Sequence, residues 1–118
     1  MDIEGFREYC LSLGEVTEKT PFGKFAARFD SVLVFYVCGH MFCMVDMDNF
    51  NYAVVKNTSE KSAELQETRN SVERQRNMMA KYRIQLNFGG DVSDTEILDL
   101  VKQSYEIVKA KYAKKKYY

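Results

Sequence analysis

A chain of 118 residues with 46% hydrophobic and 29% charged side chains is long enough to bury the core of one domain, and too apolar to be disordered. Seventeen basic residues balance seventeen acidic ones, which excludes a protein that coats nucleic acid through bulk charge alone. No apolar run reaches the roughly eighteen residues that would span a membrane, and the acidic, amphipathic opening MDIEGFREYC resembles neither a signal nor a transit peptide, so the expected location is the cytoplasm.

Residues 2–13 are predicted as a first helix. Ile3, Phe6, Cys10 and Leu13 recur at helical spacing, Asp2 stands at the cap position, and Gly14 can close the end. Val16 to Lys19 read as a short strand, Thr20 to Gly23 as a turn around the only proline, and Ala27 to Phe29 as the start of another strand.

The long apolar stretch SVLVFYVCGHMFCMVDM, Ser31 to Met47, is predicted as a hairpin closed by Gly39-His40 at the centre of a sheet. With Cys38 opposite Met41, one face carries Leu33, Phe35, Val37, Phe42 and Met44. The other carries Val34, Tyr36, Cys38, Met41, Cys43 and Val45. Both faces are apolar, so both need cover. Helices are one candidate; Tyr36, Met41 and Cys43 are otherwise candidates for an interaction face toward another protein or a second copy.

Tyr52 to Lys56 return as a strand after a polar turn. Thr58 or Ser59 caps a thinly apolar surface helix, EKSAELQETRN. Residues 70–81 give no clear pattern. Tyr82, Ile84, Leu86 and Phe88 then alternate with polar neighbours as a half-buried strand. In the last helix Ser93 and Glu96 form a capping box, Val92 and Ile97 a hydrophobic staple, and Ile97, Val101, Tyr105, Val108 and Tyr112 an apolar stripe. The expected fold is α+β: an antiparallel meander with helices mainly on one face, in the order helix, meander, helix, strand, helix, within a single domain over 1–118. Residues 113–118 are expected as a basic, frayed tail.

FREYCLSL in the first helix, Pro21-Phe22-Gly23, the hairpin VFYVCGHMFCMV and the closing LNFGGDVSDTEILDLVKQSYEIVKAK together resemble the MmcQ/YjbR family over nearly the whole chain. The resemblance implies a CyaY-like fold of the frataxin type. It also implies a DNA-binding role, which is ascribed to the family from a double-wing shape, and no established catalytic residues. Family members often carry His and Trp in a stretch H-M-N-K-x-H-W before the final strand. Here Asn77-Met78-Met79-Ala80-Lys81-Tyr82 puts a tyrosine at the tryptophan position and no histidine, so only Lys81 and Lys56 carry over.

The residues themselves offer little chemistry. Cys10, Cys38 and Cys43 read as reduced, apolar fillers. Cys38, His40 and Cys43 lack a fourth ligand, and Arg7 interleaves Glu4 and Glu8, so no metal or other cofactor is expected. A single histidine at a hairpin tip is a poor catalytic base, and an enzyme is not expected. Charge is more suggestive, because residues 1–48 hold four basic and eight acidic side chains and residues 49–118 hold thirteen and nine. Arg69, Arg74, Arg76, Lys81 and Arg83 form one basic cluster. Lys109, Lys111, Lys114, Lys115 and Lys116, interleaved with tyrosines, form a second. If the two share a surface they can contact nucleic-acid phosphates, making DNA the candidate partner. The alternative is a protein-interaction or self-association module built on the second hairpin face.

Overall fold

The computed structural model describes residues 1–23, 30–74 and 83–113. The Ala27–Phe29 strand, Tyr82, the expected tail apart from Ala113, which ends the last helix, and the candidate contacts Arg76, Lys81, Lys114, Lys115 and Lys116 lie outside the described residues.

Helix α1 (Ile3–Ser12) begins where the Asp2 carboxylate accepts the Gly5 N–H at 2.7 Å. It ends at Gly14, whose φ of 104° turns the chain into β1 (Val16–Lys19). Then follow β2 (Val32–Val37), β3 (His40–Asp46), β4 (Tyr52–Lys56), α2 (Ser59–Thr68), β5 (Val72–Arg74), β6 (Arg83–Asn87) and α3 (Asp94–Ala113). The six strands form one antiparallel sheet in the order β1-β2-β3-β4-β6-β5. The α+β class and the helix–meander–helix–strand–helix order therefore hold. The unassigned segment after α2 contributes an extra edge strand, β5, and β6 slips between β5 and β4.

The core lies between one face of the sheet and the helices. Phe6 and Cys10 of α1, Leu65 of α2, and Ile97, Val101 and Val108 of α3 meet Leu33, Phe35, Val37, Phe42, Val55, Ile84 and Leu86. Aromatic edges run through it: Phe6 touches Phe35, Phe50 and Phe88, and Phe42 meets Tyr105 at 75° with centroids 5.4 Å apart. Arg7 of α1 closes the rim with a two-pronged pair to Glu18 of β1, at 2.6 and 2.8 Å. No helix among the described residues is long and apolar enough to cross a membrane.

The hairpin differs from the expected one in its register. The turn is Cys38-Gly39, not Gly39-His40, with φ of 53° and 78°. Two successive left-handed residues make a primed turn, whose twist matches that of the strands. Val37 pairs with His40 and Tyr36 with Met41, but Phe35 pairs with Cys43, so Phe42 is an extra, bulged residue. The bulge points both Phe42 and Cys43 into the core, where each is fully buried, and Val45 with them. Met44, expected on the same face as Phe35 and Phe42, pairs instead with Val34 on the opposite one. That outer face is not wet either: Val34 and Val54 are buried, and Tyr36, Met41 and Met44 are half-buried.

A buried serine accommodates the bulge. Cys43 pairs with Val55, so Phe42 and Lys56 would form the next rung. Instead the Ser104 hydroxyl of α3 stands between them, donating to the Phe42 carbonyl and accepting the Lys56 N–H at 2.9 Å. Ser104 thereby fixes α3 against the end of β4. At the opposite end of the sheet, Asp91 accepts the N–H groups of Asn70 and Ser71 and the Ser71 hydroxyl. This ties the α2–β5 turn to the approach to α3. A side chain at Gly90 would collide with Ser71, so this crossing requires glycine.

Candidate functional site

Of the basic residues singled out from the sequence, the fold gathers some and occupies others. Arg69 of the α2–β5 turn donates to Glu96 at 2.8 Å. This takes up Glu96, so only the serine half of the expected capping box forms, with Ser93 accepting the Glu96 N–H at 3.2 Å. Lys109 faces the other way. It donates to the Tyr105 hydroxyl, which itself donates to the Gly14 carbonyl, and that contact raises the lysine pKa. Among the described residues, neither joins the other basic side chains.

Arg83 and Lys111 do converge, and the residue on which they converge is Lys56. Lys56 closes β4 directly opposite Arg83, the first residue of β6. Burial first, then the charges of Arg83 and Lys111, pull the Lys56 ammonium pKa below its ordinary value. Burial likewise lowers that of Arg83. Among the described residues no carboxylate pairs with Lys56, Arg83, Arg74 or Lys111. Like charges directly opposite in a sheet repel, so Lys56 and Arg83, both half-buried, form with the exposed Lys111 a cationic cluster that has no carboxylate counter-ion among the described residues. Sequence reading reached Lys56 only through the family resemblance, because a single lysine ending a strand carries no pattern of its own.

Two hollows flank the cluster. One, of about 390 Å³, lies between α2 and the ends of β5 and β6, and is lined by Ser59, Ser62, Gln66, Glu67, Arg74 and Arg83. The other, of about 240 Å³, lies between the start of α2 and the end of α3, and is lined by Lys56, Asn57, Thr58, Lys111 and Tyr112. Its wall continues to the hairpin, where the His40 ring stacks on Tyr112 at 3.4 Å and 8°. The single histidine is thus an exposed stacking partner for α3.

The hairpin's candidate interaction face is divided by the bulge. Tyr36 and Met41 stay on the outer face, with the Lys19 ammonium 5.9 Å from the Tyr36 ring. Cys43 does not join them: it lies in the core, where burial and a hydrogen bond with Cys10 push its thiol pKa well up. Cys38 sits in the turn, half-buried against the core. Among the described residues, no three His, Cys, Asp or Glu side chains are grouped as a metal would need.

This architecture has relatives among solved structures. A Deinococcus radiodurans protein, DR2400, with a DUF419 domain aligns with a TM-score of 0.82 at 22% identity, over 93% of this chain and 80% of its own. A Pseudomonas syringae protein aligns in its crystal form with a TM-score of 0.70 at 16% identity, over 92% of this chain and 99% of that one. Its solution structure gives 0.68 at the same identity, over 92% and 93%. These likenesses establish a shared fold. A search of curated proteins found no match. The YjbR family model matches residues 11–107, from the end of α1 through the Ser104 bridge, and the chain belongs to the YjbR family.

Proposed function

We propose that this chain is a non-catalytic binding module that takes the phosphate backbone of nucleic acid on the surface around Lys56, Arg83 and Lys111. One observation carries the reading. Cations from β4, β6 and α3 crowd together, two of them half-buried, with no carboxylate partner among the described residues. Repulsion within such a cluster is offset when phosphates sit between the charges, and release of condensed counterions then drives association. With a net charge of zero, the chain attracts phosphates through local cation clusters such as this one. Tyr112 lines the adjoining hollow with its ring stacked on His40 and the Lys111 ammonium 5.4 Å from its centroid, which ties the cation of α3 to the hairpin.

The test is the salt dependence of binding to a short duplex, read by fluorescence anisotropy. Each phosphate contact contributes about 0.9 to the slope of log affinity against log salt. Replacing Lys56, Arg83 and Lys111 together by glutamine should flatten the wild-type slope by about two to three. Absence of binding at about 50 mM salt, or a slope that the triple variant leaves unchanged, refutes the proposal.

A further inference from the structure

We infer that the cleft between α2 and the ends of β5 and β6 binds a terminal phosphomonoester, carried by a nucleic-acid strand end or by a free mononucleotide. The strand-end version rests on the nucleic-acid reading above; the cleft's preference for a phosphomonoester stands on its own geometry.

The first observation is Ser62. It is only 6% exposed, it lines the cleft, and its Oγ has no hydrogen-bond partner among the described residues. Helical hydroxyls ordinarily satisfy themselves by bonding back to the carbonyl four residues earlier. Thr68 on the same helix does so, donating to the Glu64 carbonyl at 2.8 Å, but Ser62 does not. A buried hydroxyl left unpaired is unfavourable until a water or a ligand completes it, and a phosphate oxygen in the cleft is one such acceptor.

The second observation is the opposite wall. Arg74 and Arg83 both line the cleft, and neither has an ion-pair partner among the described residues. The guanidinium fork matches phosphate oxygens two at a time. A monoester carries a charge of about −1.5 to −2 near neutral pH, against a single charge for a backbone diester, so two arginines discriminate between them.

The third is size and polarity. A volume of about 390 Å³ falls at the lower end of the range typical of small-ligand sites. Arg83 belongs to the Ser59 end, because its cross-strand partner Lys56 precedes Ser59 by three residues. Glu67 lines the cleft eight residues after Ser59, about 12 Å along the helix axis. Its carboxylate repels a phosphate placed beside it, yet can accept a sugar hydroxyl or base amino group at the far end. The cleft therefore has a cationic end and an acceptor end, separated by about the length of one nucleotide.

The experiment uses the full chain with two short single strands of one sequence, ending in 5′-phosphate or 5′-hydroxyl, and with adenosine monophosphate. The phosphorylated strand should bind about fivefold or more tightly than the hydroxyl strand. Arg74→Gln and Ser62→Ala should each remove that preference, and Ser62→Ala should leave hydroxyl-strand affinity within about twofold. Ser62→Ala deletes only an unsatisfied hydroxyl, so the variant should fold with an unchanged or higher Tm. Equal binding of the two strands, with no saturable shift of the Ser59 and Ser62 amide signals on adding adenosine monophosphate, overturns the cleft and leaves the backbone reading intact. Failure of both strands to bind, with saturable shifts from the mononucleotide, refutes the backbone reading and upholds the cleft as a mononucleotide site. Failure of all three probes overturns both.

Discussion

Ser104 stands where a direct bond between β3 and β4 would otherwise close the ladder. It is fully buried, and its one hydroxyl serves both the Phe42 carbonyl and the Lys56 N–H. Ser104→Ala leaves two buried backbone groups without partners, each worth about 1–3 kcal/mol. Partial relaxation of the strand ends should hold the loss to about 2 kcal/mol, a drop in Tm of roughly 6–10 °C for a chain of this length. Calorimetry of the variant checks this, and a fall of under about 2 °C would mean that the strands rejoin directly. Asp91 offers a second test at the same scale. Hydrogen bonds from Ser71 and Asn70 hold its carboxyl at about 2, below the ordinary 3.8. A carboxyl depressed on folding contributes stability that is fully present above the unfolded pKa and is lost as pH falls through the folded one. Wild type should therefore exceed Asp91→Asn in Tm at pH 6, and the gap should shrink between about pH 4 and pH 2.

The hairpin of β2 and β3 shows at the element scale what composition can and cannot specify. Its turn puts Cys38 at φ 53° and Gly39 at φ 78°, and nothing lies near the position a Gly39 side chain would occupy. Gly39→Ala should therefore destabilise through backbone strain alone, by about 1 kcal/mol. Cys38→Asn, which gives the asparagine-glycine pair favoured in this turn, should shift the urea midpoint the opposite way. The existence of the hairpin was legible from its apolar run and its glycine. Its register was not, because alternation fixes register only where one face is wet, and here Val34 and Val54 are buried as well. The bulge was equally hidden, since Phe42 and Cys43 are both apolar and either could face the core. Elements with sharper local chemistry were legible nearly to the residue: α1 from Asp2 and Gly14, β6 from its alternation, α3 from Ser93 and its stripe. β5 was not, because three residues with one buried side chain, Val72, exist as a strand only through β6.

At the scale of the whole molecule, the candidate site follows from a strand order that chain order conceals. The sequence identified Arg83 and Lys111 as basic. Their meeting at Lys56 depends on β6 inserting beside β4, and on α3 crossing back over the end of that strand. The same geometry sets function against stability. Burial and the charges of Arg83 and Lys111 disfavour protonated Lys56 in the folded state. For a base depressed on folding, the penalty is fully present at neutral pH and fades as pH rises through the lowered folded pKa toward 10.5. Lys56→Gln should therefore raise the Tm of the unliganded protein at pH 7, and its advantage over wild type should narrow as pH approaches 10. Salt should narrow it too, since the cluster is open to solvent on one side. Sulfate supplies the stronger contrast with chloride at matched ionic strength: if the cluster holds an anion between its cations, sulfate lifts the wild-type Tm above the chloride value and leaves Lys56→Gln/Arg83→Gln unmoved. An equal response of the two proteins to sulfate would mean that the ion acts on the whole surface, and that the three cations do not work as one site.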